Sequence, residues 1–459
     1  MNLWTLFRTR LEHVRNSRLT RRELEARQIL KFRRLVAHAN RSSPYYRELI
    51  ASRGICVESC SPSDFPILTK TDLMTHFDRI STASVVTRNS IADFLSTSKN
   101  PEDLFRQRYI VVHTSGTSGE VGYFVYSRED WARGVTQALK INPFSLRKRR
   151  LAFFGATDGH FTGVSFAVTS RWSLLRNLYE VETYSINSPL GSVIEGLNAF
   201  KPDILMGYPS ALTILAEQQN REQLRISPRY CQCSGEPLRA GDRAIIEATF
   251  GVDVINTYAC SEHLIMGFGK RDWGGIYLME DDLMFELTSA HTVITNLFNY
   301  TVPLIRYQMN DVLERCDDPK PLFPFIKVKE IAGRRERIPF FTNQNGDEDF
   351  ISPHVINEFL VRNVRRFQMH VVDKTSCFLR LCLEPGLNEA ERERTLMEAQ
   401  ERFAGIFKEK MMANVSTAVQ VVDELFVNPK TGKFELIVFP KSMSTEDSSA
   451  RGPEDGREN

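Results

Sequence analysis

The chain has 459 residues, 42% of them hydrophobic and 25% charged, and 59 Lys and Arg stand against 57 Asp and Glu for a formal charge of +2. That balance excludes a disordered or fibrous chain and leaves no global field to draw the protein to nucleic acid or anionic lipid. The length is too great for a single core, so about two to four structural units are expected. No stretch approaches the roughly 18 apolar residues of a membrane span, and the arginine-rich start lacks the apolar core and cleavage site of a secretory signal. Eight cysteines in so long a chain read as free thiols in a reducing compartment, with the cytoplasm expected.

Leu3, Phe7, Leu11 and Val14, then Ile29, Phe32, Val36 and Ala39, recur at helical spacing and predict two amphipathic helices within residues 1–41. Arginines fill their other faces with Glu12, Glu23 and Glu25 interspersed, which reads as a solvated surface rather than a membrane or nucleic-acid contact. Ser42, Ser43 and Pro44 end the second helix, and Pro62, Pro66 and the Ser/Thr/Asn-rich residues 81–100 read as loops. From Tyr109 the pattern alternates strand and helix: YIVVHT, a glycine-rich loop, FVYS, a helix over 129–140, RLAFFGA, PDILMGY, PSALTILAEQQN, AGDRAIIEATF and VDVINTYA. This rhythm predicts an α/β layer of mainly parallel strands. GGIYLMEDDLMFELTSAHTVITNLFN has a period nearer two and predicts an antiparallel patch. A shorter α/β mixture follows: MHVVDK, CFLRLCLE, a charged helix over 388–406, AVQVVDEL and FELIVF. The expected division is residues 1–336, residues 337–440 and a tail, 441–459, too poor in apolar residues to order.

The most informative stretch runs from His113 through Thr114, Ser115, Gly116, Thr117, Ser118 and Gly119 to Glu120, directly after a predicted strand. Its glycines permit a tight turn, and its N–H and hydroxyl groups donate to anionic oxygens, as a polyphosphate cradle requires. No Gly-Lys-Ser/Thr follows and the spacing is wrong for a dinucleotide fingerprint, so it is neither of those loops. Four further motifs come next: Cys233-Ser234-Gly235-Glu236-Pro237, Asn256-Thr257-Tyr258-Ala259-Cys260-Ser261-Glu262, Pro303 to Asp311, and Gly333-Arg334-Arg335-Glu336-Arg337. Asn428-Pro429-Lys430-Thr431-Gly432-Lys433 closes the series.

In this order the motifs resemble those of the adenylate-forming superfamily of acyl-CoA synthetases, on its phenylacetate-CoA ligase and coenzyme F synthetase-like branch, from Phe32 to Phe439. The resemblance implies a large multi-layer α/β adenylating domain with parallel and antiparallel sheets and a small mobile α+β domain. It implies an acid-thiol ligase that joins a carboxylic acid, aromatic ones included, to the α-phosphorus of ATP, releases pyrophosphate and passes the acyl group to CoA. An amine acceptor is the alternative, as is a degenerate chain that binds nucleotide without turnover. Thr114, Ser115, Gly116, Thr117, Ser118 and Gly119 would hold the β- and γ-phosphates, and Glu262 would help bind Mg²⁺, a cation suited to oxygen ligands. Tyr258 would pack against adenine in a pocket lined by Gly235, Glu236 and Pro237, Asp311 would accept from the ribose hydroxyls, and Arg334 would support the nucleotide. Lys433, with Lys430 as the alternative, would reach the carboxylate and α-phosphate.

Two positions depart from the pattern. No basic residue follows the phosphate loop, where Val121 and Gly122 stand, and the hinge acids read Glu336-Arg337, which places the acyl-transfer half-reaction in question. Arg306 is expected to be structural, Cys260 to be a packed residue rather than a nucleophile, and the Cys spacings predict no structural zinc. Acyl specificity is expected from residues 158–163 and 206–210, whose aromatic and glycine residues suit an aryl or arylacetic acid.

Overall fold

The two amphipathic helices form at Leu3–Asn16 and Arg21–Ser42 of a computed structural model. It describes residues 3–114, 121–141, 147–171, 176–330, 338–357, 359, 361–428 and 433–440. Within these, one unit comprises residues 3–114, 121–186 and 193–330 and a second comprises 187–192 and 338–440. The expected tail, 441–459, lies outside the described residues.

Thr20 and Glu23 close a capping box at the start of the second helix, and burial of Leu24, Phe32, Leu35 and Val36 contributes about 1.5–3 kcal/mol per side chain. The opposite faces are not wholly solvated as the sequence suggested. Glu280, Asp281 and Asp282 are almost completely buried, and the helices bring partners to them. His13 Nε2 lies 2.8 Å from Asp282, the Asn16 amide donates to Asp281 at 2.9 Å, and Lys31 reaches Asp282 at 2.9 Å. Arg21 pairs with Glu280. Arg133 and Lys140, from the next helical segment, pair with Asp282 and Asp281. Buried carboxylates cost several kcal/mol unless paired, so this inward part of the basic surface has a structural cause.

Residues 81–100 are not continuous loop: Arg88–Thr97 is a helix whose Thr87 and Ser90 form a capping box and whose Ile91 is buried. Tyr109–His113 and Tyr123–Ser127 also differ from expectation, pairing antiparallel with each other, Tyr109 opposite Ser127, outside the main sheet. The parallel layer is built from Tyr179–Ser185, Arg149–Gly155, Ile204–Gly207, Tyr230–Ser234 and Val254–Cys260, in that spatial order. Leu264–Lys270, Gly275–Leu278 and Lys327–Val328 extend it antiparallel. Leu283–Leu287, Thr292–Asn296 and Tyr307–Met309 make a separate antiparallel sheet.

After Arg149–Gly155 the chain pairs first on one side and then on the other, so the crevice beyond the carboxyl ends of Arg149–Gly155 and Ile204–Gly207 is a topological switch point, where open α/β sheets bind ligands.

The second unit packs Glu389–Glu409 on a four-stranded sheet of Ser416–Val421, Ser376–Leu383, Val364–Asp373 and Ile437–Val438. Phe341, Leu379, Phe403 and Phe407 lie in its core. Lys410 and Asp349 form a buried pair at 2.8 Å, with the ammonium 4.1 Å from the Phe350 ring centroid.

Candidate active site

Tyr208 follows the strand Ile204–Gly207 at the switch point, and Gly235 follows Tyr230–Ser234. Gly235 has φ +83°, and a β-carbon there would stand 2.9 Å from the Tyr208 ring, so both conformation and space require glycine. Gly235, Glu236, Pro237, Tyr258 and Asp311 line one cavity of about 170 Å³ with Leu238 and Ile276 among its apolar walls. The Glu236 carboxylate accepts from the Ser210 N–H at 3.1 Å, at the start of the helix Pro209–Asn220, which pins the turn.

Across this cavity the Tyr258 hydroxyl donates to Asp311 Oδ2 at 2.7 Å. Burial, followed by the Asp311 charge, pushes the phenol pKa far up, so the hydroxyl keeps its proton and remains a donor. Asp311 thus has one oxygen oriented by tyrosine while its other oxygen retains acceptor capacity.

The base of the glycine-rich loop is clasped at two points. Thr114 N–H donates to Gly122 O at 3.0 Å, and Gly122 N–H donates to Thr114 Oγ1 at 2.9 Å. The loop residues Ser115, Gly116, Thr117, Ser118 and Gly119 themselves lie outside the described residues, as does Arg334 with Glu336 and Arg337. Lys70 Nζ lies 3.2 Å from Thr114 Oγ1. This cation, from the short helix Lys70–Thr75, was missed in the sequence, where a basic residue was sought after the loop.

Glu262 is buried, at 8% exposure. Burial raises its pKa first, Lys70 lowers it, and Asp311 raises it further. Tyr126 holds the peptide that carries it, donating to the carbonyls of Ser261 and Glu262 at 2.7 and 2.8 Å. Ser261 Oγ donates to His113 O at 3.1 Å and meets Thr162 Oγ1 at 2.8 Å. A desolvated carboxylate within the field of Lys70 and Asp311 suits a hard divalent cation whose remaining ligands would come from phosphate and water. Among the described residues no group of three or more His, Cys, Asp or Glu is placed to hold a metal by itself.

The residues expected to face the acyl group form an aromatic neighbourhood. His113 and Phe161 rings are 4.8 Å apart, and a β-carbon on Gly155 would meet Phe153 at 2.7 Å and Tyr208 at 3.3 Å. His160 contacts Ser98 Oγ at 3.0 Å, and burial lowers its pKa to about 4, which makes it neutral at pH 7.

Arg306 makes a two-point pair with Glu286 at 2.9 and 2.8 Å and donates to Phe65 O at 2.7 Å, which is a structural role. Burial raises the Cys260 thiol well above its ordinary range, which disfavours the nucleophilic thiolate. Backbone pairing sets Lys433 opposite Asn428 in a short hairpin of the second unit, whereas Lys430 lies outside the described residues.

No family model matches the chain. Its sequence is 24% identical to a phenylacetate-coenzyme A ligase of Aromatoleum evansii over 455 residues, covering 91% of this chain and 94% of that protein. It is 27% identical to an indoleacetate–lysine synthetase of Pseudomonas savastanoi over 210 residues, 44% of this chain and 52% of that protein. A solved structure of 2-hydroxyisobutyryl-CoA ligase, in complex with 2-HIB-AMP and CoA in the thioesterification state, matches with a TM-score of 0.59 at 18% identity. That match covers 93% of this chain and 91% of the other. The chain is thus similar along nearly its whole length to a phenylacetate-CoA ligase, and it shares its mixed α/β fold with an AMP-forming CoA ligase.

Proposed function

We propose that the protein activates a carboxylic acid with ATP as an acyl-adenylate, releasing pyrophosphate, and transfers the acyl group to CoA. The observation that carries this reading is the Tyr258–Asp311 pair, 2.7 Å apart in a cavity at the carboxyl ends of the parallel strands, with Thr114, Lys70 and Glu262 close by in the same unit.

In the first step a carboxylate oxygen bonds to the α-phosphorus and the bond to pyrophosphate breaks; both reactants are anions, so the site must supply positive charge and alignment. Tyr258 packs against the base above the Gly235–Pro237 turn, and the free acceptor capacity of Asp311 takes the ribose hydroxyls. Residues 114–119 with Lys70 hold the β- and γ-phosphates, and the Lys70 ammonium replaces the basic residue absent after the loop. A divalent cation at Glu262 would neutralise the polyphosphate. Arg334 supports the nucleotide, and Lys433, or Lys430 in its place, meets the carboxylate and α-phosphate. In the second step the CoA sulfur bonds to the acyl carbon and AMP leaves. Aromatic acids fit the ring-lined segment around Phe161 and Tyr208.

Transfer to an amine is the second reading. It is favoured by Arg337, which reverses the charge of the second hinge acid, and by the similarity to an indoleacetate–lysine synthetase. ATP/pyrophosphate exchange across a panel of aryl and aliphatic acids, followed by product analysis with CoA and with amines, tests both. A thioester supports the first reading and an amide the second. Exchange with no acid in the panel would leave a chain that binds nucleotide without turnover.

A further inference from the structure

The first helix has a second, exposed face. Leu6, Thr9, His13 and Asn16 are buried, and His13 and Asn16 are fixed by Asp282 and Asp281, so the helix is held in one rotational setting. On the opposite side Trp4, Phe7 and Leu11 are 65, 58 and 54% exposed, and Arg8 and Arg15 are exposed beside them. At about 100° per residue these five side chains fall within an arc of roughly 100°, along a helix about 21 Å long.

The charge on this face has one sign. Glu12 is the only acid before Glu23, and it is turned into the fold, where Lys31 and Arg133 hold it. Exposed apolar side chains are ordinary when scattered; here three large ones lie at i, i+3 and i+7 with Arg8 and Arg15 along one edge.

We propose that this outward face is a peripheral docking surface for an anionic lipid bilayer. Aromatic and leucine side chains enter the boundary between headgroups and acyl chains while Arg8 and Arg15, with Arg18 just beyond the helix, meet the phosphates. No helix among the described residues is long and apolar enough to cross a membrane, so attachment is interfacial. With only three apolar anchors it is reversible and salt-sensitive. A nucleic-acid surface would use the arginines but would leave the aliphatic Leu11 at the centre of the patch without a matching partner. The sequence was read as having a solvated basic face because periodicity shows which residues share a side, not which side the protein covers.

The test is co-sedimentation of the full chain with vesicles of phosphatidylcholine alone and of phosphatidylcholine with phosphatidylglycerol, at low and high salt. Binding to the anionic vesicles at low salt and its loss at high salt are expected. The pair Phe7→Gln and Leu11→Gln should lower binding by 10-fold or more, and Arg8→Gln with Arg15→Gln by on the order of 10-fold. Both pairs alter exposed positions far in sequence from the site residues, so thermal midpoint and acyl-adenylate formation should stay unchanged. A blue shift of tryptophan emission on binding should vanish in Trp4→Tyr. Absence of binding, or binding that none of these substitutions weakens, overturns the proposal. Self-association abolished by Phe7→Gln and Leu11→Gln without vesicle binding would assign the face to a second copy. Tighter retention on an oligonucleotide, lost with the arginines alone, would assign it to nucleic acid.

Discussion

One oxygen of Asp311 accepts from Tyr258 at 2.7 Å, and the residue lines the cavity, with further acceptor capacity on a carboxylate. If the ribose is held there, Asp311→Asn should raise the KM for ATP by on the order of 10- to 100-fold, the scale of losing hydrogen bonds to a charged group. Tyr258→Phe removes only the orienting donor and should raise it roughly 3- to 10-fold, measured by pyrophosphate exchange. Equal effects would mean that the phenol itself touches the ligand. Lys433→Ala should lower acyl-AMP formation by on the order of 10²-fold, the scale of one lost transition-state contact; if Lys430→Ala does this instead, the role moves to Lys430. Lys70→Ala should also reduce exchange by about 10- to 100-fold, with a rise in the KM for ATP. The motifs that contain Gly235, Tyr258, Glu262 and Asp311 were legible because each is a local run of residues. Lys70 was not, since its contact with Thr114 spans 44 residues and arises only when the short helix Lys70–Thr75 comes beside the end of the strand Tyr109–His113.

At the scale of elements, strong periodicity was readable and pairing was not. The helices Pro209–Asn220 and Ala240–Phe250 and the strands Arg149–Gly155 and Ile204–Gly207 stand where hydrophobic pattern put them. Arg88–Thr97 was hidden by its polar composition, because a Thr87/Ser90 capping box starts it in a stretch where Ser and Asn usually mark loops. The hairpin of Tyr109–His113 and Tyr123–Ser127 looked like two members of a parallel sheet because a buried strand carries no label for its partner. The docking of the first two helices depends on Asp282, whose carboxylate, despite burial, is held well below the usual range by Arg133, Lys31 and His13. Asp282→Asn removes the carboxylate that Lys31, Arg133 and the His13 ring share and should destabilise the protein by about 3–5 kcal/mol in denaturant titration, the cost of breaking a buried pair. A loss below about 1 kcal/mol would show that the network relaxes around the amide. The sign for pH follows from the depressed pKa: this contribution is present above the unfolded-state carboxylate range and is lost only as pH falls through the lower folded value.

For the whole molecule, near neutrality in net charge conceals buried charges in both units, Glu280, Asp281 and Asp282 in the large one and the Lys410–Asp349 pair in the second, and buried histidines in the large unit. The histidines carry the pH dependence near physiological conditions. His263 is fully buried, neither ring nitrogen has a hydrogen-bond partner among the described residues, and burial lowers its pKa to about 3. His160 and His370 are each lowered to about 4, burial being the largest cause in both. Between these values and the ordinary histidine range the unfolded chain binds more protons than the folded one, so stability falls as pH falls from about 6.5. Glu262, Glu280 and Asp130 are raised by burial and act in the opposite direction, which makes the total slope a poor test of any one group. A difference between variants isolates the term. His263→Phe removes a titrating ring whose nitrogens gain nothing from the fold and replaces it with an apolar ring that packs on the same neighbour, Tyr307, now 5.7 Å from His263. The parent should lose on the order of 2 kcal/mol more stability than His263→Phe between pH 7 and pH 5 in parallel denaturant titrations. Equal losses in the two proteins would mean that His263 is protonated, or hydrated, in the folded state, and the acid sensitivity would then have to come from His160 and His370.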